Sequence, residues 1–164
     1  MIFKFKKHNS DFYSTLLQLS RNLYFYKKVN LEDTFETRIY LIFFHFSIIL
    51  INFKIKGVNF PQQNYDNLFF NIEDNLRELG FGDVSVNKKM KDMNKIFYDI
   101  LLKIISDNTR VKISKNLVLK YFPDLNSKNV DKYNYFEQYF INFYNFCFDK
   151  DPKNMLKETL KFKI

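Results

Sequence analysis

A run of 15 residues from Ile39 to Phe53 is almost continuously apolar, and it limits the folds open to this chain. The run lies inside a longer segment, from about Thr34 to Lys56, that has neither glycine nor proline. It is shorter than the roughly 20 apolar residues needed to span a bilayer. Its polar residues are His45, Ser47 and Asn52. The sequence therefore favours a buried central helix, with a membrane-spanning helix as the alternative.

Helix breakers are rare in this sequence, which has three glycines and three prolines, so each one is informative. Gly57 follows two lysines, as at many helix ends, and Pro61 suits the first turn of the next helix. No stretch alternates apolar and polar residues well enough to indicate a strand. The predicted helices run from about Asp11 to Lys28, Thr34 to Lys56, Pro61 to Leu79, Asp83 to Ile105, Lys115 to Tyr121 and Lys128 to Phe148, with a last one after Pro152.

Two of these helices are joined by a very short link that contains Gly80 and Gly82. Each has one apolar face at helical spacing, so we expect an antiparallel hairpin with Asp83 or Ser85 capping its second helix. The two faces consist of Tyr65, Phe69, Ile72, Leu76 and Leu79, and of Val86, Met90, Met93 and Phe97. The predicted fold is all-α: an irregular bundle of five to seven helices around this hairpin, forming a single domain over residues 1–164.

The formal net charge is +8 at pH 7, which favours an anionic partner such as RNA or a lipid surface. Abundant lysine, asparagine, isoleucine and phenylalanine are also typical of AT-rich codon usage, which weakens that argument. The basic start of the chain has no apolar core behind it, and Cys147 has no second cysteine to pair with. We therefore expect a non-secreted, cytoplasmic protein.

Residues that could carry catalysis are few. The histidines are His8 and His45, without a metal-ligand partner at suitable spacing, and no glycine-rich phosphate loop is present. Cys147 lies between phenylalanines and is predicted to be a core residue. The predicted third helix carries Asp66, Glu73, Asp74 and Glu78. A solvated face with a Glu73–Arg77 pair is favoured over an acid–base site. We expect a protein that is not an enzyme and that uses no metal or cofactor.

Polar residues on the central helix are spaced 4, 7 and 7 apart and fall on one strip. They are Thr34, Arg38, His45 and Asn52. Arg38 on so apolar a helix needs a carboxylate partner, and its replacement by alanine would then cost roughly 3–5 kcal/mol. The candidate partners are Asp66, Glu73, Asp74 and Asp83. The alternative to an internal ion pair is a polar pocket for a ligand.

Two other surfaces are candidates for binding a partner. Lys88, Lys91 and Lys95 lie opposite the apolar face of the fourth helix and would suit phosphates or lipid headgroups, although a solubilising face has the same pattern. The long aromatic helix has more aromatic residues than one core face needs. Tyr135, Tyr139 and Phe146 are thus either an interaction surface or part of a helix covered on both sides.

The stretch from Asp66 to Met93 resembles the ubiquinol–cytochrome c chaperone family. The motif positions are Leu76-Arg77-Glu78, Gly80, Gly82-Asp83, Val86, Lys88-Lys89, Lys91, Met93 and Phe97-Tyr98, with Asp33-Thr34, Arg38 and His45 upstream. The resemblance covers about Leu31 to Leu102. It implies an assembly factor for ubiquinol–cytochrome c reductase that binds newly made cytochrome b or an early intermediate, near the ribosome and with a small helper protein.

A bacterial relative would act at the cytoplasmic face of the inner membrane, and an organellar one on the matrix side. Two other functions stay open at this point. One is a peripheral lipid-binding or carrier protein, which an enlarged cavity around His45 would support. The other is an RNA- or ribosome-binding module, which a continuous lysine surface with stackable aromatic residues would support.

Overall fold

Seven α-helices and a very short β-ladder form the part of the chain described by this computed structural model, residues 11–107, 109–126 and 130–164. The helices are α1 (Asp11–Ser20), α2 (Phe35–Ile55), α3 (Gln62–Glu78), α4 (Asp83–Lys103), α5 (Lys115–Tyr121), α6 (Val130–Phe148) and α7 (Pro152–Glu158). The strands are β1 (Ile105–Ser106) and β2 (Val111–Lys112). The predicted all-α bundle is confirmed. His8, the basic start and Lys128 lie outside the described residues.

Helix α2 is the centre of the fold, as its apolar run predicted. It contacts α1, α4 and α6, and every side chain from Leu41 to Ile49 is buried. Thr34 caps its first turn by accepting a hydrogen bond of 3.1 Å from the Thr37 N–H. By length and composition α2 could also cross a membrane, but 67% of its most apolar window is buried within the fold. Burial on all sides is what a continuous apolar run without a polar face requires.

The first predicted helix is wrong in its extent, because α1 ends at Ser20 instead of reaching Lys28. The Ser20 hydroxyl donates to the Leu17 carbonyl at 2.7 Å, and the Asn22 side chain accepts from the Tyr24 N–H at 3.0 Å. Such side-chain bonds to the backbone compete with helical hydrogen bonds and interrupt the helix. A short π-helical turn, Tyr24–Lys28, follows the break.

Helices α3 and α4 form the predicted antiparallel hairpin. The hydroxyls of Tyr65 and Tyr98 lie 3.1 Å apart, and the ring centroids of Phe69 and Phe97 are 5.5 Å apart. Capping of α4 by Asp83 or Ser85 was wrong, since the cap position is Gly82 and no side chain caps it. Asp83 instead lies in the first turn, where its negative charge interacts favourably with the helix dipole.

The β-ladder was not predicted, and the fourth predicted helix was two residues too long. Helix α4 ends at Lys103, after which Ile105 pairs with Lys112 and Ser106 pairs with Val111 in antiparallel register. Two-residue strands are too short to show a period of two in the sequence. Helix α5 begins where expected, with Ser114 capping it through the Leu117 N–H at 3.2 Å.

Helix α6 is buried on two faces because the C-terminal segment folds back over it. Phe140 and Phe143 pack toward α2 and are fully buried. On another face, the Phe162 ring lies 5.3 Å from Tyr139 and 5.4 Å from Phe146, centroid to centroid. The aromatic excess of this helix therefore serves two packing faces.

Candidate protein-binding groove

The tip of the α3–α4 hairpin is a tight reversal fixed by backbone hydrogen bonds. The Gly80 N–H donates to the Arg77 carbonyl at 2.9 Å, and the Phe81 N–H donates to the Leu76 carbonyl at 3.3 Å. This pair of bonds is the Schellman motif, which needs a residue with positive φ after the last helical turn. Gly80 supplies it with φ of 95°. The glycine-containing link therefore positions the residues on both sides of the turn.

The hairpin tip also has an exposed ion-pair cluster centred on Arg77. Its guanidinium lies 3.0 Å from the Glu73 carboxylate, the pair predicted at i,i+4, and 3.5 Å from the Asp83 carboxylate. The hydrogen bond to Glu73 raises the pKa of Arg77 further. Exposed pairs contribute little to stability, so this cluster mainly orients charged side chains around the tip.

A hollow of about 520 Å³ lies between α1, the first half of α2 and the last turn of α3. Leu17, Phe35, Ile39, Ile42 and Leu79 form its apolar lining, while Tyr13, Arg21, Arg38, Asn75 and Glu78 form its polar lining. The Asn75 amide donates a hydrogen bond to the Tyr13 hydroxyl across this hollow. The hollow thus combines an apolar floor with charges of both signs at its rim.

A second hollow of about 250 Å³ adjoins the first and shares Phe35 and Leu79 with it. Its other lining residues are Glu36, Leu76, Phe81, Lys89 and Met93. We call the two hollows together the hairpin-tip groove. Two apolar residues of its lining are exposed, Leu79 at 58% and Phe81 at 38% of their accessible surface. Exposed apolar residues rimmed by charges mark interaction sites on soluble domains.

Arg38 lines this groove, and its predicted internal ion pair is wrong. The guanidinium binds Asp33 at 2.8 Å, and both side chains are partly exposed. This hydrogen bond lowers the pKa of Asp33. The four predicted partners lie elsewhere: Glu73 and Asp83 pair with Arg77, Asp66 accepts from Gln62, and Asp74 is exposed. The loop before α2 brings Asp33 back over the first turn, so Arg38 is never enclosed.

The polar strip along α2 does not form one ligand pocket. His45 is fully buried, and rings surround it, with the centroids of Phe140 and Phe143 both 4.9 Å away. Burial lowers the pKa of His45 to about 3. Asn52 donates to the Ile48 carbonyl at 3.0 Å, and its carbonyl oxygen has no partner among the described residues. The strip runs from the surface at Arg38 into a packed core.

The lysine stripe lies where the sequence predicted it. Lys88, Lys91 and Lys95 are all exposed, and Val86 and Phe97 on the opposite side of α4 are fully buried. Lys89, which lies outside the stripe, places its ammonium 4.5 Å from the centroid of the Phe81 ring at the hairpin-tip groove.

Of the two alternatives for the aromatic helix, an interaction surface does not hold for Tyr139, which is fully buried and hydrogen-bonded to His45. Tyr135 and Phe146 are partly buried, and each has a lysine ammonium over its ring: Lys28 at 4.5 Å and Lys150 at 4.8 Å from the centroid. The alternative of a helix covered on both sides describes α6 better. Tyr139 is not available to a partner.

Sequence reasoning missed the groove residues Tyr13, Arg21, Leu79 and Phe81. A signal for two of them was present, since Leu79 and Phe81 are apolar residues placed at a glycine turn, where polar residues are usual. Tyr13 and Arg21 could not be found that way, because their place in the groove depends on how α1 packs against α2 and α3.

Among the described residues, no group of three or more histidine, cysteine, aspartate or glutamate side chains is placed to hold a metal ion. Cys147 is buried, and burial raises the pKa of its thiol.

The family model described as Ubiquinol-cytochrome C chaperone matches residues 27–105. This segment, just under half of the chain, is similar to that family. The match encloses the resemblance over residues 31–102 and extends from the π-helical turn through α2, α3 and α4 to the start of β1. The match indicates a chaperone role connected with ubiquinol–cytochrome c assembly. No curated protein and no solved structure matches the chain significantly.

Proposed function

We propose that this protein is a non-catalytic chaperone that holds newly made cytochrome b, or an early intermediate of ubiquinol–cytochrome c reductase, at a membrane surface. One observation carries the proposal. The family segment builds most of the hairpin-tip groove, where Leu79 and Phe81 stay exposed around an apolar floor. The family match supports the kind of client, and the groove is the surface on which we place it.

The chemistry of the groove suits a segment of a membrane protein that has not yet found its place. Such a segment is apolar with charged or polar flanks, and outside the bilayer it needs an apolar surface. The floor around Phe35 and Leu79 provides that surface, while Arg38, Glu78 and Lys89 at the rim can pair with flanking groups of either sign. Recognition would resemble an amphipathic helix lying in a hydrophobic groove.

Binding in this groove would be reversible, as a chaperone requires. The hollows are small and have charged residues in their lining, and small contacts are typical of transient complexes. The lysine stripe of Lys88, Lys91 and Lys95 lies on another side of the hairpin. It leaves a separate surface for the membrane or the ribosome, and Tyr135 and Phe146 remain secondary candidates for contact with a helper protein.

The alternative of a lipid carrier finds no support around His45, because aromatic rings fill the space next to it. The other alternative is an RNA- or ribosome-binding module. Nucleic acid in the captured complexes would support it. In a bacterium the proposed place of action is the cytoplasmic face of the inner membrane, and in an organelle it is the matrix side.

The test is affinity capture of the tagged protein from detergent-solubilised membranes of its source, followed by mass spectrometry. We expect cytochrome b or a subunit of the same complex to be enriched with the parent protein. The variant Leu79→Ser/Phe81→Ser should lose most of that enrichment. Phe70→Ser is the matched control, because Phe70 is 61% exposed on α3 but lies outside the groove. Equal enrichment by the groove variant and the parent, or none by the parent, would overturn the proposal.

A further inference from the structure

The outer row of α4 has a basic middle and an apolar end. Spacings of four, three, four, three and four residues place this row within about 80° of one side of the helix. The row consists of Val84, Lys88, Lys91, Lys95, Tyr98 and Leu102, and the exposed Ile105 follows in β1, just after the end of α4. We call the part from Lys88 to Ile105 the α4 ridge.

The apolar end of the ridge is exposed to a degree that the fold itself does not require. Leu102 retains 77% and Ile105 63% of the accessible surface of the residue. Beside them is an apolar hollow of about 560 Å³, lined by Leu50, Ile51, Ile55, Leu101, Leu102 and Ile104, with Ser106 and the exposed Lys54. Apolar surface of this kind next to a basic row marks a site where something docks.

The charges of the ridge are available to a partner. Lys88, Lys91 and Lys95 take part in no ion pair among the described residues, although the exposed carboxylate of Asp92 lies beside them. The other acidic residue near the row, Asp99, is already held by Lys103 at 2.5 Å and Lys120 at 2.8 Å. The ridge therefore presents net positive charge followed by bare aliphatic side chains.

We infer that the α4 ridge docks the protein on an anionic lipid bilayer. In this arrangement α4, about 30 Å long, lies along the surface. The three lysines contact lipid phosphates, and Leu102 and Ile105 enter the boundary between headgroups and acyl chains. The inference rests on the membrane-surface part of the proposed function and names the residues responsible for it.

The aliphatic end is what favours a bilayer over RNA as the occupant. Phosphates of RNA would satisfy the lysines equally well. They would leave Leu102 and Ile105 in water, however, and single strands bind through stacked aromatic rings. Tyr98 is the aromatic residue in the row, and its hydroxyl is engaged with that of Tyr65 at 3.1 Å. A bilayer uses both the charges and the apolar side chains.

Charge dependence is tested by co-sedimentation with phosphatidylcholine vesicles that contain a minor fraction of phosphatidylglycerol, at low salt. Replacing Lys88, Lys91 and Lys95 with glutamine should weaken binding about a hundredfold, because each lysine near an anionic membrane contributes a factor of about five. The matched control neutralises Lys153, Lys157 and Lys161, which are also exposed and lie near the C-terminal end of the chain. Equal losses in the two triple variants would mean that net charge alone acts, and would overturn the assignment.

Insertion of the apolar end is tested with a fluorescent probe, because the chain has no tryptophan. Leu102→Trp should shift its emission to shorter wavelength on anionic vesicles and be quenched by lipids brominated in the acyl chain. Leu23→Trp is the control, since Leu23 is also exposed, at 61%, but lies far along the chain from the ridge. No shift for Leu102→Trp, or the same shift at both positions, would refute insertion. Binding of the parent to RNA with no binding to anionic vesicles would also refute it.

Failure of this inference can be told apart from failure of the proposed function. Capture of cytochrome b in detergent needs no bilayer, so the lysine-neutral ridge variant should retain it while losing vesicle binding. The groove variant Leu79→Ser/Phe81→Ser should do the opposite. Loss of both properties in both variants would show that the two surfaces are not independent, and circular dichroism of each variant checks that it is folded.

Discussion

Nε2 of His45 lies 2.8 Å from the hydroxyl oxygen of Tyr139, a contact that joins α2 to α6 in the middle of the core. Nδ1 of the same ring lies 2.6 Å from the Leu41 carbonyl, which can only accept. Nδ1 therefore carries the proton, and Nε2 accepts a hydrogen bond from the tyrosine. Two fully buried polar side chains thus satisfy each other among phenylalanine rings.

Removal of the tyrosine hydroxyl should destabilise the protein. Tyr139→Phe leaves Nε2 of His45 buried without a donor, and we expect the free energy of unfolding to fall by about 1–3 kcal/mol. The double variant His45→Phe/Tyr139→Phe removes both polar groups and should recover much of that loss. Urea denaturation of the parent, both single variants and the double variant measures the coupling. Additive losses would contradict the contact.

The same pair predicts a pH dependence. Burial lowers the pKa of His45 to about 3 in the folded protein, whereas an exposed histidine titrates near 6.5. Below about pH 6.5 the unfolded chain therefore binds a proton that the folded protein does not, and stability falls as pH falls. From about pH 6 to 5, His45 should contribute a loss of up to about 1.4 kcal/mol. The double variant lacks this group, so its stability should fall less over that interval.

How far the sequence predicted this fold depended on whether the deciding contact was local. The hairpin was predictable, since the glycine spacing and the helical periodicity that decide it lie within a few residues. The side of α6 on which Tyr139 lies was not, because Phe162 and His45 reach it from distant parts of the chain. The partner of Arg38 was missed for another reason: Asp33 is close in sequence, but the loop conformation decides the pair.

The hairpin turn offers a test in which one substitution has opposite effects at two positions. Gly80→Ser should cost about 1–2 kcal/mol, because φ of 95° is unfavourable for residues with a side chain, although the space around it is open. Gly82 has φ of −73° and ψ of 165° at the cap position of α4, which suits serine. Gly82→Ser should therefore stabilise the protein by about 0.3 kcal/mol. Thermal unfolding of the two variants checks this, and equal shifts would contradict the assigned turn.

Two variants compare the stability contributed by an exposed ion pair with that contributed by a carboxylate that has several partners. Arg38→Ala should lower the free energy of unfolding by less than about 1 kcal/mol, because its pair with Asp33 is exposed. Asp99→Asn should cost about 1–2 kcal/mol, since this mostly buried carboxylate pairs with Lys103 and Lys120 and accepts from the Tyr121 hydroxyl.

Hydrogen bonds from Lys103, Lys120 and Tyr121 hold the pKa of Asp99 well below its usual range, and the bond from Lys103 has the largest effect. Its contribution is therefore complete at neutral pH and decreases as the pH falls below about 4, where the unfolded chain takes up the proton first.

Urea denaturation at neutral pH ranks the two variants. A larger decrease in the free energy of unfolding for Arg38→Ala than for Asp99→Asn would support the enclosed ion pair that the sequence suggested. A small decrease together with reduced capture of cytochrome b would instead indicate that Arg38 contacts the client in the groove.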